Sequence, residues 1–372
     1  MHIAIHALPT AAGGGLTGLR GLLRGFQALP HAPDVTVLVS HEKTRDAIAD
    51  CDVVTDMIRV PHMGSVRRLR WEQFSFRSWA ARRRPDVVLV NNFAVPRLGR
   101  PQVVWHQDLH TLSGWTRWGS WRRSPKVFVQ KIAARLSLAI ADAHVYVSRY
   151  LRDQARRLRR WAARARHHVV PYGLSAAFRR EARRATPHRE PTYRLAAIQS
   201  PLRHKDNETL LRAFQKLVAR APARPWRLDI AGWRDWGRWR RRAHTLGIAD
   251  WVVWRGYLNE EAIIDLLRRS DCLIFPSVLE SFGLPVIEAM ACRCPGVAVN
   301  RTAVPEVAGG TACLVPPRRP DAIARSVRRL QRDAAWRRSF IERGKARALQ
   351  FCWTRTARSI YDVLLTTANY RP

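Results

Sequence analysis

The sequence predicts an α/β protein of two domains, each a parallel sheet flanked by helices. Three observations lead there. At 372 residues the chain exceeds the roughly 250–300 residues at which a single core stops growing. Short apolar runs such as Asp52-Val-Val and Asp86-Val-Val-Leu-Val90 alternate with longer helical patterns, the mark of βαβ units and hence of parallel sheets. An Arg-, Pro- and Ala-rich stretch from Leu174 to Thr192 separates two apolar strand patterns. The boundaries that follow are 1–175 for the first domain, 176–192 for a linker, and 193–352 for a second domain opening on Tyr193-Arg-Leu-Ala-Ala-Ile198.

In chain order, Met1-His-Ile-Ala-Ile5 reads as a strand, followed by Gly13-Gly14-Gly15 and an amphipathic run from Leu16 to Leu29. Glycines there permit a backbone to approach phosphate or acceptor closely, with Gly14 and Gly15 the candidates. Val103-Val-Trp-His106 closes a strand on a histidine, and Asp142-Ala-His-Val-Tyr-Val-Ser148 is a further strand. In the second half, Cys272-Leu-Ile-Phe-Pro-Ser277 reads as a short buried strand.

The next residues carry the chemistry. In Glu280-Ser-Phe-Gly-Leu-Pro-Val-Ile-Glu288, Pro285 suits the first position of a helix, where its missing N–H costs nothing. Glu280 then falls in the strand-to-helix loop and Glu288 in the helix's first turn. Between them the N–H groups of Phe282, Gly283 and Leu284 point out of a positive helix end, a ready anion site. A phosphate held there, with carboxylates accepting hydrogen bonds from hydroxyls on either side, fits a sugar nucleotide.

The spelling of this segment through Cys292-Arg-Cys-Pro-Gly-Val-Ala-Val-Asn300 resembles the E-x7-E signature of retaining glycosyltransferases of family 4, which have the GT-B fold of two Rossmann-like domains. The resemblance extends in order over most of the chain. It takes in the first strand and glycine segment, His106-Gln-Asp108 (with one residue more than the family's His-Asp), Val169-Val-Pro-Tyr-Gly173, Ser200-Pro-Leu-Arg-His-Lys205, Val304-Pro-Glu306 and Phe351-Cys-Trp353. It implies that a last helix, within 353–372, crosses back to the first domain. It implies that Lys205 binds the donor diphosphate, Glu280 the donor-sugar hydroxyls and Glu288 the ribose diol. It places His106 near the donor sugar, with Asp108 on the acceptor side. The family's partner arginine aligns with Ser200, so Arg203 is the nearest substitute cation.

The implied activity is transfer of a hexose-type sugar from a nucleotide-sugar donor to a saccharide or lipid-linked acceptor, in cell-surface glycan or polysaccharide synthesis. No metal or other cofactor is expected. Asp50-Cys51-Asp52 spells Asp-x-Asp but follows a helical pattern and leads into Val53-Val54. The competing readings are another GT-B nucleotide-sugar enzyme, such as a 2-epimerase, and an Arg-rich nucleic-acid-binding protein without catalysis. Specific nucleic acid is not expected as a partner, since Lys205, Glu280 and Glu288 are all present.

The composition sets the surroundings. Six cysteines at irregular spacing suit reduced thiols and a cytoplasmic protein. No apolar run approaches the ~18 residues of a spanning helix. The net charge is +36, divided as +19 over residues 1–180 and +17 over 181–372, and only six of the 65 basic residues are Lys. Two segments exceed this average. Val66 to Arg84 interleaves arginines with Trp71, Phe74, Phe76 and Trp79, and Arg149 to Arg166 is Arg-rich and contains Trp161. Basic helices carrying aromatic rings suit an anionic membrane surface, which makes peripheral attachment at the inner face of a membrane the expectation.

Overall fold

The computed structural model describes residues 1–8, 10, 13–112, 125–158, 165–183, 192–219 and 225–369. It divides into two compact units, Met1–Gly173 with Cys352–Pro372, and Leu174–Phe351.

Unit 1 is built on β1 (His2–His6), β2 (Asp34–Val39), β3 (Val54–Arg59), β4 (Val87–Asn91), β5 (Gln102–His106), β6 (Ala143–Tyr146) and β7 (Arg166–Val169). They form one sheet in the order β3-β2-β1-β4-β5-β6-β7, with every neighbouring pair parallel. All residues of β4 and β5 are buried. That is the state in which a strand reads as a continuous apolar run, because helices cover both faces of the sheet.

Unit 2 repeats the plan with β8 (Tyr193–Ile198), β9 (Trp226–Ala231), β10 (Val252–Gly256), β11 (Cys272–Phe275), β12 (Gly296–Val299) and β13 (Cys313–Val315). The order is β10-β9-β8-β11-β12-β13, again all parallel. Its core joins Leu195, Leu228 and Ile274 from the sheet to Leu210, Phe214 and Leu217 of the helix Asn207–Val218. The two-domain, parallel α/β architecture expected from the sequence is the one observed.

Two details differ from the sequence reading. The stretch 176–192 opens with a helix, Ala176–Arg183, which packs within unit 2 against the helix Leu284–Ala291. Residues 184–191 of that stretch lie outside the described residues. The segment Gly13-Gly14-Gly15 does not precede the amphipathic run as a separate piece; it forms the first turn of the helix Gly13–Gln27, entered through Gly13 at φ 64°.

The final helix, Trp353–Asn369, belongs to unit 1 and packs along Gly13–Gln27. Glycine makes that contact possible. A Cβ on Gly21 would stand 2.1 Å from the indole of Trp353, and one on Gly25 would stand 2.5 Å from Ala357 Cβ. Gly21→Ala is therefore expected to destabilise the protein by about 1–3 kcal/mol through overpacking, against the ~1 kcal/mol that Ala gains over Gly inside a helix. Chemical denaturation measures the balance, and a variant as stable as the parent would mean that the two helices separate at little cost.

Candidate functional site

In unit 2 the strand order reverses between β8 and β11, so the connections leaving these adjacent strands run to opposite sides and open a crevice at their carboxyl ends. Of the sequence candidates, Lys205 and Glu280 meet there. After β8 the chain makes a short 3-10 turn, Arg203–Lys205, and Asp206 at φ 52° turns it into the helix Asn207–Val218. After β11 it passes through Glu280 into the helix Leu284–Ala291. The two connections are stitched together. Val278 N donates to His204 O at 2.8 Å, and Ser277 Oγ donates to the same carbonyl at 3.2 Å.

The resulting geometry brings Lys205 Nζ to 2.6 Å from Glu280 Oε1. Both side chains are largely shielded, at 21% and 13% exposure, and the ammonium also lies 5.9 Å from the centre of the Phe275 ring. A third connection, after β12, fixes Glu280 from its other side. Its N–H donates to Thr302 Oγ1 at 3.1 Å, and its carbonyl accepts from Ala303 N at 3.4 Å. Thr302 sits at φ 55°, and nothing in the sequence pattern marked it.

Gly283 caps the following helix at φ 101°, a conformation that favours glycine. The helix therefore opens on Leu284, and Pro285 takes the second position. Consequently Glu288 lies in the second turn, not the first as the sequence suggested. It is half-buried, yet its carboxyl is pushed up to about 8, first by desolvation and then by the negative charge of Glu260. Phe282 is buried edge-on against Phe351, with ring centres 5.7 Å apart.

Ser200 and Arg203 divide. Ser200 Oγ is buried without a hydrogen-bond partner, as are both side-chain polar atoms of Gln199 beside it. The Ser200 carbonyl accepts from Asn207 Nδ2 at 2.8 Å, which locks the loop. Arg203 is exposed, and its side chain makes no hydrogen bond or ion pair with a described residue. Unpartnered buried polar atoms thus lie at Ser200, the position at which a cation was missing from the expected pattern, and at Gln199 beside it.

Unit 1 has its own reversal, between β1 and β4. Here Asn91 Nδ2 donates to Thr10 Oγ1 at 3.0 Å, and Gln107 Nε2 donates to Asn91 Oδ1 at 3.4 Å. A Cβ on Gly15 would stand 3.5 Å from Gln107 Oε1. The residue that reaches the glycine turn is therefore Gln107, which the sequence treated as an interruption. Asp108 turns aside; its Oδ1 accepts from His110 N at 2.8 Å, capping the short helix Leu109–Leu112.

His106 is fully buried. Its Nε2 is 3.0 Å from His144 Nδ1, and its ring stacks on Tyr146 at 4.7 Å. Tyr146 OH in turn meets His167 Nδ1 at 2.9 Å. Burial first, and the neighbouring His144 second, hold the His106 pKa well below the usual histidine value. It is a neutral ring packed inside the sheet.

The Asp-x-Asp spelling has a structural explanation. Asp50 Oδ2 accepts from Arg20 and Arg24 at 2.9 and 2.6 Å, and Asp52 Oδ2 accepts from Gln27 at 2.5 Å. Both carboxylates thereby fasten the helix Gly13–Gln27.

Known proteins share this plan. Residues 13–173 match the family described as glycosyl transferase 4-like domain, and residues 178–347 match glycosyl transferases group 1. The O-antigen chain mannosyltransferase B of Escherichia coli is 34% identical over 154 residues, which is 40% of this chain and 39% of that protein. The chain spans between 39% and 53% of the length of the first curated relatives it matches. Among solved structures, sucrose-phosphate synthase from Thermosynechococcus elongatus superposes with a TM-score of 0.76 at 20% identity, over 98% of both chains. Anabaena HepE, solved in complex with UDP, gives a TM-score of 0.76 at 14% identity, over 98% of this chain and 100% of that one. At these identities the structures establish the fold, which is GT-B.

The buried histidines have a consequence for stability. His144 is held down to about 3 by desolvation and then by His167, against an ordinary 6.5. Above pH 6.5 both folded and unfolded chains leave it neutral. Below that value only the unfolded chain takes up the proton, so stability is lost as the pH falls from 6.5 towards 3. Glu288 has the opposite sign, being protonated when folded and ionised when unfolded between pH 4.5 and 8. The parent's advantage over His144→Asn should therefore shrink by about 1.4 kcal/mol per pH unit below 6.5. Parallel stability profiles for the two proteins between pH 5 and 7.5 would contradict the buried neutral imidazole.

Proposed function

We infer from its membership of the glycosyltransferases, to which both halves of the chain belong, that the protein moves a hexose-type sugar from a nucleotide-sugar donor to a saccharide or lipid-linked acceptor. Cell-surface glycan synthesis is the setting, supported by the partial similarity to an O-antigen mannosyltransferase. The observation that carries the reading is the Lys205–Glu280 pair at the β8/β11 reversal. A cation and a carboxylate preorganised in one crevice are the two groups a sugar diphosphate needs, one for phosphate and one for hydroxyls.

Donor binding exchanges partners. The diphosphate takes the Lys205 ammonium from Glu280, with the unpaired Gln199 and Ser200 groups as further hydrogen-bond donors at the same loop. The Glu280 carboxylate is freed to accept from hydroxyls of the sugar. As the bond between the anomeric carbon and the leaving oxygen breaks, negative charge grows on the β-phosphate. Lys205 meets it in a shielded site, where one such group is worth roughly 3–4 kcal/mol of barrier. The acceptor hydroxyl then bonds to the anomeric carbon on the face the diphosphate leaves, and its proton passes to the departing phosphate oxygen. This same-face route gives retention and requires neither a second carboxylate as nucleophile nor a metal. The acceptor is assigned to unit 1.

Glu288 supplies the ribose contact. A diol donating two hydrogen bonds to the carboxylate favours its ionised form, so donor binding lowers a pKa that stands at about 8 in the free protein.

Lys205→Ala and Glu280→Gln should keep the unfolding midpoint while lowering turnover at least tenfold, or about 1.4 kcal/mol of barrier. A screen of UDP-, GDP- and dTDP-sugars by thermal shift identifies the donor, because ligand at ~100 times its dissociation constant stabilises by roughly 2.7 kcal/mol. Kinetics unchanged in both variants would remove the pair from the mechanism.

At pH 7, donor binding should release a fraction of a proton, read as a dependence of calorimetric heat on the buffer's ionisation enthalpy. Glu288→Gln should abolish that dependence and weaken binding. A buffer dependence that persists in the variant would place the titrating group elsewhere.

A further inference from the structure

The basic, aromatic segment of unit 1 folds in a way that its composition does not announce. The helix Ser65–Trp71 runs into a π-helical turn, Glu72–Phe76, and continues as Arg77–Arg83. The extra residue per turn changes which side chains share a face. Phe76 is buried, and Trp71 and Trp79 stack nearly parallel to it at 5.8 and 5.6 Å. Three of the four rings therefore serve the core. Glu72 also turns inward, to within 3.2 Å of His6 Nε2 and 3.4 Å of Arg68 Nε.

The opposite face is left with Arg70, Gln73, Phe74 and Arg77. Together with Arg97 they line an open cleft of about 360 Å³. Phe74 is 71% exposed, the largest value among the exposed large hydrophobic residues described. Arg97 comes from the loop after β4 and stands at φ 53°, a backbone conformation that a residue with a side chain adopts only at a cost. Among the described residues, Arg70, Arg77 and Arg97 make no ion pair and no hydrogen bond. The one acidic residue of the 66–84 segment, Glu72, is occupied on the inner side.

Three unpaired guanidinium groups around one cleft repel each other until an anion enters. A free phosphate would satisfy the charges but leave the protruding ring in water. A nucleic acid strand calls for successive stacking rings along a track, and here Trp71 and Trp79 are stacked on the buried Phe76 instead of standing free beside Phe74. The geometry points to the headgroup region of an anionic lipid bilayer as the partner, with Arg70, Arg77 and Arg97 on lipid phosphates and Phe74 inserted between the headgroups. This attachment goes beyond glycosyl transfer and needs no sugar nucleotide. Residues 159–164 of the second basic segment lie outside the described residues.

Flotation of the full chain with vesicles, without donor or acceptor, tests the assignment. Phosphatidylcholine vesicles are compared with vesicles that also contain phosphatidylglycerol. The expected result is recovery with the anionic vesicles alone, fading between ~0.1 M and ~1 M salt as the Debye length falls from ~10 Å to ~3 Å. Each Arg at an anionic surface raises partitioning about fivefold. Arg70→Ser/Arg77→Ser/Arg97→Ser should accordingly lose about a hundredfold, and Phe74→Ser should weaken recovery at unchanged charge. Arg325→Ser/Arg332→Ser/Arg338→Ser removes the same charge from exposed positions of unit 2 and should lose far less. Equal recovery with both vesicle types, or equal losses in the two triple variants, would overturn the docking site. So would displacement of the bound protein by a short oligonucleotide at physiological salt. Unfolding midpoints of all variants within a degree or two of the parent exclude misfolding as the cause of any loss.

Discussion

The reversal of strand order at the centre of each parallel sheet is the constraint on which the rest depends. Where neighbouring strands send their connections to opposite sides, the sheet edge between them has no helix above it. Loops leaving those strands can then face one another across a short gap. In unit 2 the gap between β8 and β11 is narrow enough for a lysine to touch a glutamate at 2.6 Å. It is held to that width by two bonds to one carbonyl, that of His204. Unit 1 uses the same reversal with uncharged groups, Thr10, Asn91 and Gln107 around Gly15. One architecture thus yields a charged crevice in unit 2 and an uncharged, hydrogen-bonded one in unit 1.

The strands were legible because burial on both faces removes polar residues from them, and Val87–Asn91 and Cys272–Phe275 stand out from their surroundings for that reason. The loop with Glu280 was legible because glycine and proline restrict what the backbone does around it. Positions fixed by distant partners were not. Gln107 faces the glycine turn and Asp108 the following helix because Asn92 Oδ1 accepts from both of their N–H groups, at 2.8 and 3.1 Å, and this turns the chain after β5. His106 is drawn inside by residues of β6, which no local pattern reveals. Glu288 moved by a single position, since whether Gly283 or Leu284 caps the helix depends on one dihedral angle. The π-helical turn at Glu72–Phe76 is a similar case; a periodicity of 3.6 residues assigns Trp71 and Trp79 to no definite face once an extra residue enters the turn.

Charge is organised by scarcity. With 65 basic and 29 acidic residues, carboxylates serve several cations each. Asp50 is shared by Arg20 and Arg24, Glu208 by Arg212 and Arg242, and the fully buried Asp229 by Arg194, Arg227 and Arg255. Sharing of this kind is structural. It spreads one negative charge among planar guanidinium groups that offer donors in a fixed fork, and it ties helices and strands together without leaving a group free for a ligand.

Glu280 does not follow that pattern. Its carboxylate meets a lysine, in a chain where lysine supplies only six of the basic side chains. The difference is chemical. A guanidinium at this place would engage the carboxylate through two parallel hydrogen bonds, and exchanging it for a phosphate would require both to break together. An ammonium is a compact charge with three rotatable donors on a flexible stem. It can keep one contact with Glu280 while it forms another with an entering phosphate, and then release the carboxylate to a hydroxyl. The shielding of both groups strengthens each contact, and the unpaired polar atoms of Gln199 and Ser200 would be the alternative partners in the proposed exchange. For the exchange proposed here, an ion pair that opens and closes is better built from lysine than from arginine, and in this Arg-dominated chain the Glu280 carboxylate has a lysine.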